Sequence, residues 1–263
     1  MLRASENGLL LEERRRRICE LLRNDGRVTV ESLASRFGTS QVTVRGDLAA
    51  LESAGVLTRT HGGAVLPVTP QSDEPLQVKQ LQHHAEKVRI ARAAAALIQD
   101  GETIILDSGT TTAEIARAIR KAALSSINVI TNALNVAALL MDAPAVRLIV
   151  PGGILRRESN SLSGPLAEAA LAKLQADRLY LGADAIDPQV GVMTPHVQEA
   201  ELNAQMIRCS RQVVVVADSS KLMRRNISLI AKVEQIHLLI TDQAAPSEVI
   251  TELRQRGVEV QLV

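Results

Sequence analysis

Apolar residues recur at helical spacing near the beginning of the chain and form strand-like runs later. Between Val30 and Phe37, the side chains of Leu33, Ala34 and Phe37 share one face of a predicted helix. Gly38 ends this helix, because glycine readily takes the left-handed conformation found at helix C-termini. The pattern therefore predicts a short helix that buries one face and stops abruptly.

A second helix is predicted directly after this turn. Ser40 is a suitable N-cap, since its hydroxyl can accept a hydrogen bond from an unpaired amide of the first turn. Val44, Leu48 and Leu51 share a spacing that buries them against the preceding helices, and Gly55 ends the helix. A helix, a tight turn and a second helix are typical of a unit that enters the major groove of DNA.

The residues after the second helix alternate between apolar and polar from Val56 to Gly63, which predicts a narrow β-hairpin, or wing. Side chains near the start of the second helix would contact base edges, and basic side chains of the wing would contact phosphates. The alternative is a small helical bundle without DNA-binding function, which shows similar spacing. The predicted DNA contacts are Ser40, Gln41, Thr43, Val44, Arg45, Arg59 and His61.

A dense basic run, Arg14 to Arg17, lies on a helix predicted from about Leu10 to Leu22. Two interpretations stay open for these arginines. They contact the DNA backbone, or they form a solvated face balanced by neighbouring glutamates.

Prolines at 67, 70 and 75 interrupt a mostly polar segment, which predicts a linker. We therefore predict a winged helix-turn-helix domain at residues 1–65, a linker at 66–80 and a sensor domain at 81–263. In the sensor domain, apolar strand runs alternate with helical patterns, as in an open, mostly parallel α/β sheet. The predicted strands are Thr103 to Leu106, Asn128 to Thr131, Arg147 to Val150, Arg178 to Leu181, Gln212 to Ala217 and Gln235 to Thr241.

Small and polar residues follow these strands, at the edge where such sheets bind ligands. Hydroxyls, a glycine and unpaired amides at a helix N-terminus favour an anion such as phosphate, and Lys221 would add a cation. The alternatives are helix capping and turn formation, which use the same residue types. The predicted effector contacts are Asp107, Ser108, Gly109, Thr110, Thr111, Thr112, Thr131, Asn132, Gly152, Gly153, Asp184 and Lys221.

Composition narrows the function classes. Cys19 and Cys209 are far apart in sequence and each has apolar neighbours, so we expect neither a disulfide nor a metal site. We also expect no cofactor. No apolar stretch is long enough to cross a bilayer and no signal peptide is recognised, which predicts a soluble cytoplasmic protein without a membrane partner. With one Tyr, one Phe and no Trp, the chain lacks platforms for single-stranded bases. Double-stranded DNA is the expected nucleic acid.

Six motifs follow one another along the chain: TSQVTVRGDLAALESAGVLTRTHGGA, DSGTTT, VITNALNVA, GGILRRESNSLSGPLAE, LGADAID and VVVVADSSK. In this order they resemble the DeoR-type bacterial transcriptional regulators, and the likeness covers nearly the whole chain. The branch associated with N-acetylgalactosamine and other amino sugars is the most similar. The resemblance implies a sensor domain similar in fold to ribose-5-phosphate isomerase, with phosphate contacts from Ser108 to Thr111 and Lys221, and sugar contacts near Asp184.

Two positions depart from the pattern. The isomerase carries a catalytic lysine where this chain reads GVMTPHVQEAELN, which favours binding without turnover. Gly46 stands where many relatives carry a larger residue, often Arg.

The sequence predicts a repressor of carbohydrate-utilisation genes that acts as a homo-oligomer on an operator and responds to a phosphorylated amino sugar or ketose. The alternative is a sugar-phosphate isomerase or deaminase with an accessory DNA-binding domain.

Overall fold

The computed structural model describes residues 11–25, 27–53, 56–60, 62–65 and 76–263. The chain divides into two compact units, Met1–Ser72 and Asp73–Val263. Gly55, His61 and the three linker prolines, for which the sequence made predictions, lie outside the described residues.

The first unit packs three helices against a small antiparallel sheet. The buried faces of the helices meet in one core that includes Ile18, Leu33, Phe37 and Leu48. The strands pair in the order β1-β3-β2. The elements are α1 (Leu11–Asp25), β1 (Arg27–Thr29), α2 (Val30–Phe37), α3 (Gln41–Ser53), β2 (Thr58–Thr60) and β3 (Gly63–Val65).

Local sequence signals explain the limits of α2. Thr29 caps its first turn through a hydrogen bond from the Ser32 amide to the Thr29 hydroxyl, 3.1 Å long. Gly38 ends the helix with φ of 59°, in the left-handed region where glycine is least strained. Both ends of α2 agree with the helix predicted from the apolar spacing.

The second unit is built on a seven-stranded parallel sheet with the order β15-β14-β12-β9-β4-β5-β6. A hairpin, β7-β8, and a three-stranded antiparallel sheet, β10-β11-β13, extend from it. The strands are β4 (Thr103–Leu106), β5 (Ile127–Thr131), β6 (Val146–Ile149), β7 (Ile154–Arg156), β8 (Ser161–Ser163), β9 (Ala176–Gly182), β10 (Ala185–Asp187), β11 (Gly191–Thr194), β12 (Ser210–Val216), β13 (Ser228–Lys232), β14 (Leu238–Thr241) and β15 (Glu259–Leu262). The helices are α4 (Leu76–Leu81), α5 (His84–Ala95), α6 (Thr110–Ile119), α7 (Leu134–Leu140), α8 (Pro165–Leu171), α9 (Val197–Arg208) and α10 (Ser247–Gln255).

Helices cover both faces of the parallel sheet, so its central strands are apolar on both sides. In β9, Leu179 and Leu181 point to a core with α8, α9 and α10, whereas Tyr180 between them points to a core with α5, α6 and α7. The Tyr180 hydroxyl donates to the carbonyl of Ala94 at 3.0 Å, which satisfies its buried polar atom. The open parallel α/β architecture predicted from the sequence is therefore confirmed.

Some elements differ from their predicted limits. Helix α6 begins at Thr110 and not at Ala113, so all three threonines belong to its first turn. Helix α4 occupies residues of the predicted linker, and its first residue, Leu76, is buried and donates its amide to the carbonyl of Glu158 at 3.2 Å. Within the described ranges, no helix is both long and apolar enough to cross a membrane.

Candidate functional site

Helix α3 presents polar side chains at its N-terminal end. The Ser40 hydroxyl accepts a hydrogen bond from the Thr43 amide at 3.1 Å, as expected of an N-cap. Gln41, Thr43 and Arg45 are exposed, and Arg45 Nη2 donates to Gln41 Oε1 at 3.1 Å. These three side chains share the part of a recognition helix that reads base edges in helix-turn-helix proteins.

Val44 is a correction to the predicted set of DNA contacts. Its side chain is fully buried in the core of the first unit, next to Leu33 and Leu48. A side chain without exposed surface cannot reach a base edge. Val44 therefore fixes the position of α3 by packing, as its spacing along the helix indicates.

The basic run on α1 has a role that the sequence did not suggest. Arg14 Nε and Arg15 Nε donate to the two carboxylate oxygens of Asp47, at 2.6 and 3.0 Å. Asp47 lies on α3 and is 2 % exposed. The two arginines thus join α1 to the recognition helix, and Arg17 pairs with Glu20 at 2.6 Å. The signal for this network was an acidic residue on the otherwise apolar face of α3.

The wing is formed by β2 and β3. Arg59 is exposed on β2, and its backbone amide donates to Glu52 Oε1 at 2.9 Å, which ties the wing to the end of α3. Gly63 is required at the base of the wing, since an added Cβ would lie 2.0 Å from the carbonyl oxygen of Val28. Arg59 is available for a phosphate contact, and the predicted partner His61 lies outside the described residues.

In the second unit, a cleft opens at the carboxyl ends of β4, β9 and β12. Its volume is about 60 Å³. The first turn of α6 contributes hydroxyls and amide groups that have no partner inside the helix. Seven predicted effector residues line this cleft: Asp107, Ser108, Gly109, Thr110, Thr111, Asp184 and Lys221.

Asp107 holds together the backbone segments that line the cleft. Its carboxylate accepts hydrogen bonds from the amide of Gly109 at 2.9 Å, the amide of Gly182 at 2.7 Å and the hydroxyl of Thr112 at 2.8 Å. Burial raises the pKa of Asp107, and these three hydrogen bonds oppose the rise. The carboxylate joins the ends of β4 and β9, so it fixes the loop that leads into α6.

Lys221 is positioned by a short 3-10 helix, Ser219–Lys221. Asp242, at the end of β14, accepts a hydrogen bond from the Ser219 amide at 2.6 Å, and Asp218 accepts one from the Ser220 amide at 3.1 Å. Across the ranges that the structure describes, no hydrogen bond or ion pair engages the Lys221 ammonium group. The lysine therefore lines the cleft with its charge available.

Six charged residues that line the cleft are absent from the predicted set of effector contacts: Lys79, Lys87, Arg156, Glu158, Glu199 and Asp218. Lys79, on α4, pairs with Asp184 at 2.9 Å. Burial alone would raise the pKa of Asp184, but the nearby charge and hydrogen bond of Lys79 lower it below the usual range. Lys79 is separated from Asp184 by more than a hundred residues, so no local pattern indicates this pair.

Lys87 is 3 % exposed, which is unusual for a lysine. Its ammonium group donates to the carbonyls of Lys79 and Gln82, both at 2.5 Å, and so caps the C-terminal end of α4. Burial lowers the pKa of Lys87 to about 8, although the negative charge of Asp218 acts in the opposite direction. Lys87 thus connects α4 with the floor of the cleft.

A second hollow, of about 260 Å³, adjoins the cleft, since Arg156 and Glu199 line both. Arg156 Nη2 lies 2.8 Å from His196 Nε2, and Arg156 Nη1 lies 3.4 Å from Glu199 Oε2. Burial first, and then the charges of Asp184 and Asp107, raise the pKa of Glu199 to about 7. Asn132, a predicted effector residue, lines this second hollow and not the cleft.

The other four predicted effector residues lie outside the linings of both hollows. Thr112 is fully buried and its hydroxyl is bonded to Asp107, whereas the buried Thr131 hydroxyl accepts from the Ala133 amide at 3.1 Å. Gly152 and Gly153 have φ of 79° and 123°. The effector contacts predicted for these four residues stay predictions, and capping and packing already account for the hydroxyls of Thr112 and Thr131.

The fold and site define a class: a winged helix-turn-helix unit and a parallel α/β unit with a polar cleft at the carboxyl ends of its strands. Comparison with known proteins agrees with this class. Residues 14–69 match the DeoR-like helix-turn-helix domain, and residues 82–243 match the DeoR C terminal sensor domain. The chain belongs to the DeoR family of transcriptional regulators.

Two relatives span nearly the same length. The chain is 42% identical over 253 residues to a putative aga operon transcriptional repressor from Escherichia coli O157:H7, covering 95% of this chain and 93% of the relative. It is 30% identical over 250 residues to the glycerol-3-phosphate regulon repressor of Escherichia coli (strain K12), covering 95% and 98%. The chain is a DNA-binding regulator and not an enzyme, so the alternative of an isomerase or deaminase is set aside.

Among solved structures, the chain is similar to ribose 5-phosphate isomerase A from Methanocaldococcus jannaschii. The sequence identity is 20%, the TM-score is 0.39, and the likeness covers 54% of this chain and 56% of the isomerase.

Proposed function

We propose that this regulator represses carbohydrate-utilisation genes and leaves its operator when a phosphorylated sugar occupies the cleft of the second unit. The names of the two relatives, which refer to the repression of an operon and a regulon, support the sign of control. The proposal rests on one observation: the N-terminus of α6 and Lys221 line the same cleft, and no hydrogen bond or ion pair within the described residues engages the Lys221 ammonium group. The winged helix-turn-helix would act on operator DNA in the cytoplasm.

The cleft offers separate groups for the two ends of a sugar phosphate. Hydroxyls of Ser108, Thr110 and Thr111, with the helix dipole, suit the phosphate. Asp184 and Glu199 suit sugar hydroxyls, since carboxylates accept strong hydrogen bonds.

Helix α4 provides a physical route from effector to DNA-binding domain. The cleft volume of about 60 Å³ is far below the roughly 300–1,000 Å³ of a typical ligand pocket. A sugar would therefore displace Lys79 from Asp184, which frees an anchor of α4. Because α4 is the first described element of the second unit, its release is the step by which we propose that effector binding begins to alter the regulator. Different affinities of the effector for the anchored and released states are what regulation requires.

We further propose that the regulator acts as a homo-oligomer. Helix-turn-helix proteins commonly bind two half-sites about one helical turn of DNA apart, and this spacing needs two reading units. A single α3 carries few exposed polar side chains at its N-terminal end, so two copies would supply the specificity of an operator.

The effector proposal predicts a large thermal stabilisation by phosphorylated sugars. A ligand at a hundred times its Kd stabilises the folded state by about 2.7 kcal/mol, which raises the Tm of a domain of this size by roughly 5–10 °C. Differential scanning fluorimetry with hexose, hexosamine and ketose monophosphates measures this shift, with each unphosphorylated sugar as the matched control. Equal shifts with and without phosphate, or none, would contradict the proposed site.

DNA reading by α3 predicts that Arg45→Ala lowers specific operator affinity. Loss of one base contact costs about 1–3 kcal/mol, which is roughly a 5- to 150-fold weaker Kd. Gel-shift titration with the operator and with scrambled DNA measures the change, and specificity should fall more than nonspecific binding. Arg120→Ala removes the same charge from an exposed position on the second unit and serves as control. An unchanged ratio of specific to nonspecific affinity would exclude a base contact by Arg45.

A further inference from the structure

The outward face of the recognition helix α3 is centred on two residues without polar side chains. Val44 is fully buried, and a residue two positions before or after it lies about 200° away around the helix axis. Val42 and Gly46 therefore lie almost opposite the core, and both are exposed. Gln41 and Arg45 lie to one side of them, joined by a hydrogen bond of 3.1 Å.

The Val42 side chain is 75 % exposed, and no large apolar side chain within the described ranges is more exposed. Valine is also an indifferent choice for an exposed helix position, because its β-branched side chain loses rotational freedom there. Neither burial nor helix formation therefore accounts for a valine at this position. A contact with another molecule would account for it.

Gly46 is equally unexplained by the protein itself. A Cβ added at this position would have no atom within 4 Å, so packing does not require a glycine. The residue lies inside α3, and glycine is the poorest helix former after proline. What glycine offers at an exposed position is close approach of the backbone to another molecule.

The major groove, where a recognition helix lies, presents one apolar substituent on its base edges. That substituent is the 5-methyl group of thymine, whereas the other groups are hydrogen-bond donors and acceptors. A valine packed against a donor or an acceptor would leave that polar group without a partner. An exposed valine at the centre of α3 therefore matches thymine and disfavours the other bases.

We propose that Val42 reads the 5-methyl group of an operator thymine, and that Gly46 lets the backbone of α3 approach the base pairs closely enough for this contact. The inference rests on the proposed reading of operator DNA by α3 and is independent of the effector. It assigns specificity to two positions outside the predicted set of DNA contacts. The polar side chains of Gln41 and Arg45 would read the neighbouring base pair.

Replacement of thymine by uracil tests the contact. The probe is a duplex selected from random DNA by the full chain, in which each thymine is replaced in turn by deoxyuridine, so that only the 5-methyl group is lost. At one fixed salt concentration, we expect at least one replacement to weaken the Kd of the wild-type protein about 3- to 10-fold. If the protein prefers the selected duplex to scrambled DNA but no replacement changes its Kd, the thymine contact is wrong and operator reading stands. If the protein shows no such preference, both fail.

Val42→Ala assigns the loss to the valine. The shortened side chain should bind the thymine and uracil duplexes within about twofold of each other, because the two changes remove the same contact. Its affinity for scrambled DNA should stay the same. Val150→Ala removes the same atoms from an exposed valine of the second unit and should keep the full difference. If Val42→Ala still distinguishes thymine from uracil as the wild-type protein does, another residue reads the methyl group and the proposal is wrong.

Gly46→Leu tests the close approach. Leucine is a good helix former and the space at this position is open, so the melting temperature followed by circular dichroism should not fall. Operator affinity should fall about tenfold or more, because the larger side chain holds α3 away from the base edges. The difference between thymine and uracil duplexes should disappear with it. Operator affinity equal to that of the wild-type protein would overturn the role of Gly46.

Discussion

Replacing Asp107 with alanine is expected to lower the free energy of unfolding of the second unit by about 2–4 kcal/mol. The substitution removes the acceptor for the amides of Gly109 and Gly182, and for one of the hydrogen bonds of the Thr112 hydroxyl. Each buried donor that loses its partner costs about 1–3 kcal/mol, but both glycines are partly exposed and water reduces the loss. Few single positions in this unit join two strand ends so directly.

Urea unfolding followed by tyrosine fluorescence measures this effect. Tyr180 is the only tyrosine, the chain has no tryptophan, and its ring is fully buried in the second unit. The signal therefore reports on that unit within the full chain. Asp142→Ala removes an exposed carboxylate and is the control, with an expected change below about 0.5 kcal/mol. If Asp107→Ala shifts the midpoint no more than this control, the assigned role of Asp107 is wrong.

Asp107→Asn separates hydrogen bonding from packing. The amide keeps the size of the side chain and one acceptor oxygen, but its NH₂ group would face an amide donor. We expect an intermediate loss of stability. Equal stability of the asparagine variant and the wild-type protein would show that one acceptor oxygen is sufficient, and that the second acceptor and the charge of Asp107 are not needed.

The strands of the parallel sheet were predictable because burial on both faces leaves a run of apolar residues in each. The run Val213 to Val216 in β12 is the clearest case, since alternate valines contact opposite cores. Element limits were less certain where capping competes with helix formation. The threonines after Gly109 were assigned to a loop, although Thr110 already belongs to α6. Hydroxyl residues suit both positions, so the pattern alone does not distinguish them.

The part of the cleft formed by the strand ends was predictable for a similar reason. The carboxyl ends of parallel strands meet at one edge, so polar residues that follow β4 and β12 were expected to converge. The rest of the cleft depends on α4 and on the β7-β8 hairpin, whose residues line it through long-range contacts. Lys79 and Arg156 carry no local signal for a place in the cleft, and their partners lie far away in sequence.

For Val44 the sequence supports two incompatible predictions, a buried position in the core and a contact with DNA. It lies between the exposed residues Thr43 and Arg45, which favours DNA contact by proximity in sequence. Helical periodicity places it on the face of Leu48 and Leu51, and its full burial confirms the periodicity. Position around the helix axis, and not distance along the chain, decides which residues face the groove.

Among substitutions in the proposed effector site, we expect the replacement of Lys221 to have the largest effect on effector binding. Replacing Lys221 with methionine is expected to weaken the binding of a phosphorylated effector about 10- to 100-fold, because a hydrogen bond to a charged group contributes roughly 1.5–3 kcal/mol. At an effector concentration just sufficient for the wild-type protein, release from the operator should be lost. Operator affinity without effector should stay the same, since Lys221 lies in the second unit and α3 in the first.

Two measurements identify the role of Lys221. Calorimetry gives the effector Kd, and a gel-shift assay with and without effector gives the response. Lys173→Met removes the same charge from an exposed position outside the cleft and should bind effector like the wild-type protein. Lys221→Arg should restore part of the affinity, because a guanidinium also binds phosphate but differs in reach and geometry. An unaltered effector Kd in Lys221→Met would mean that the phosphate is bound elsewhere, since an ammonium group in contact with a dianion cannot be removed without cost.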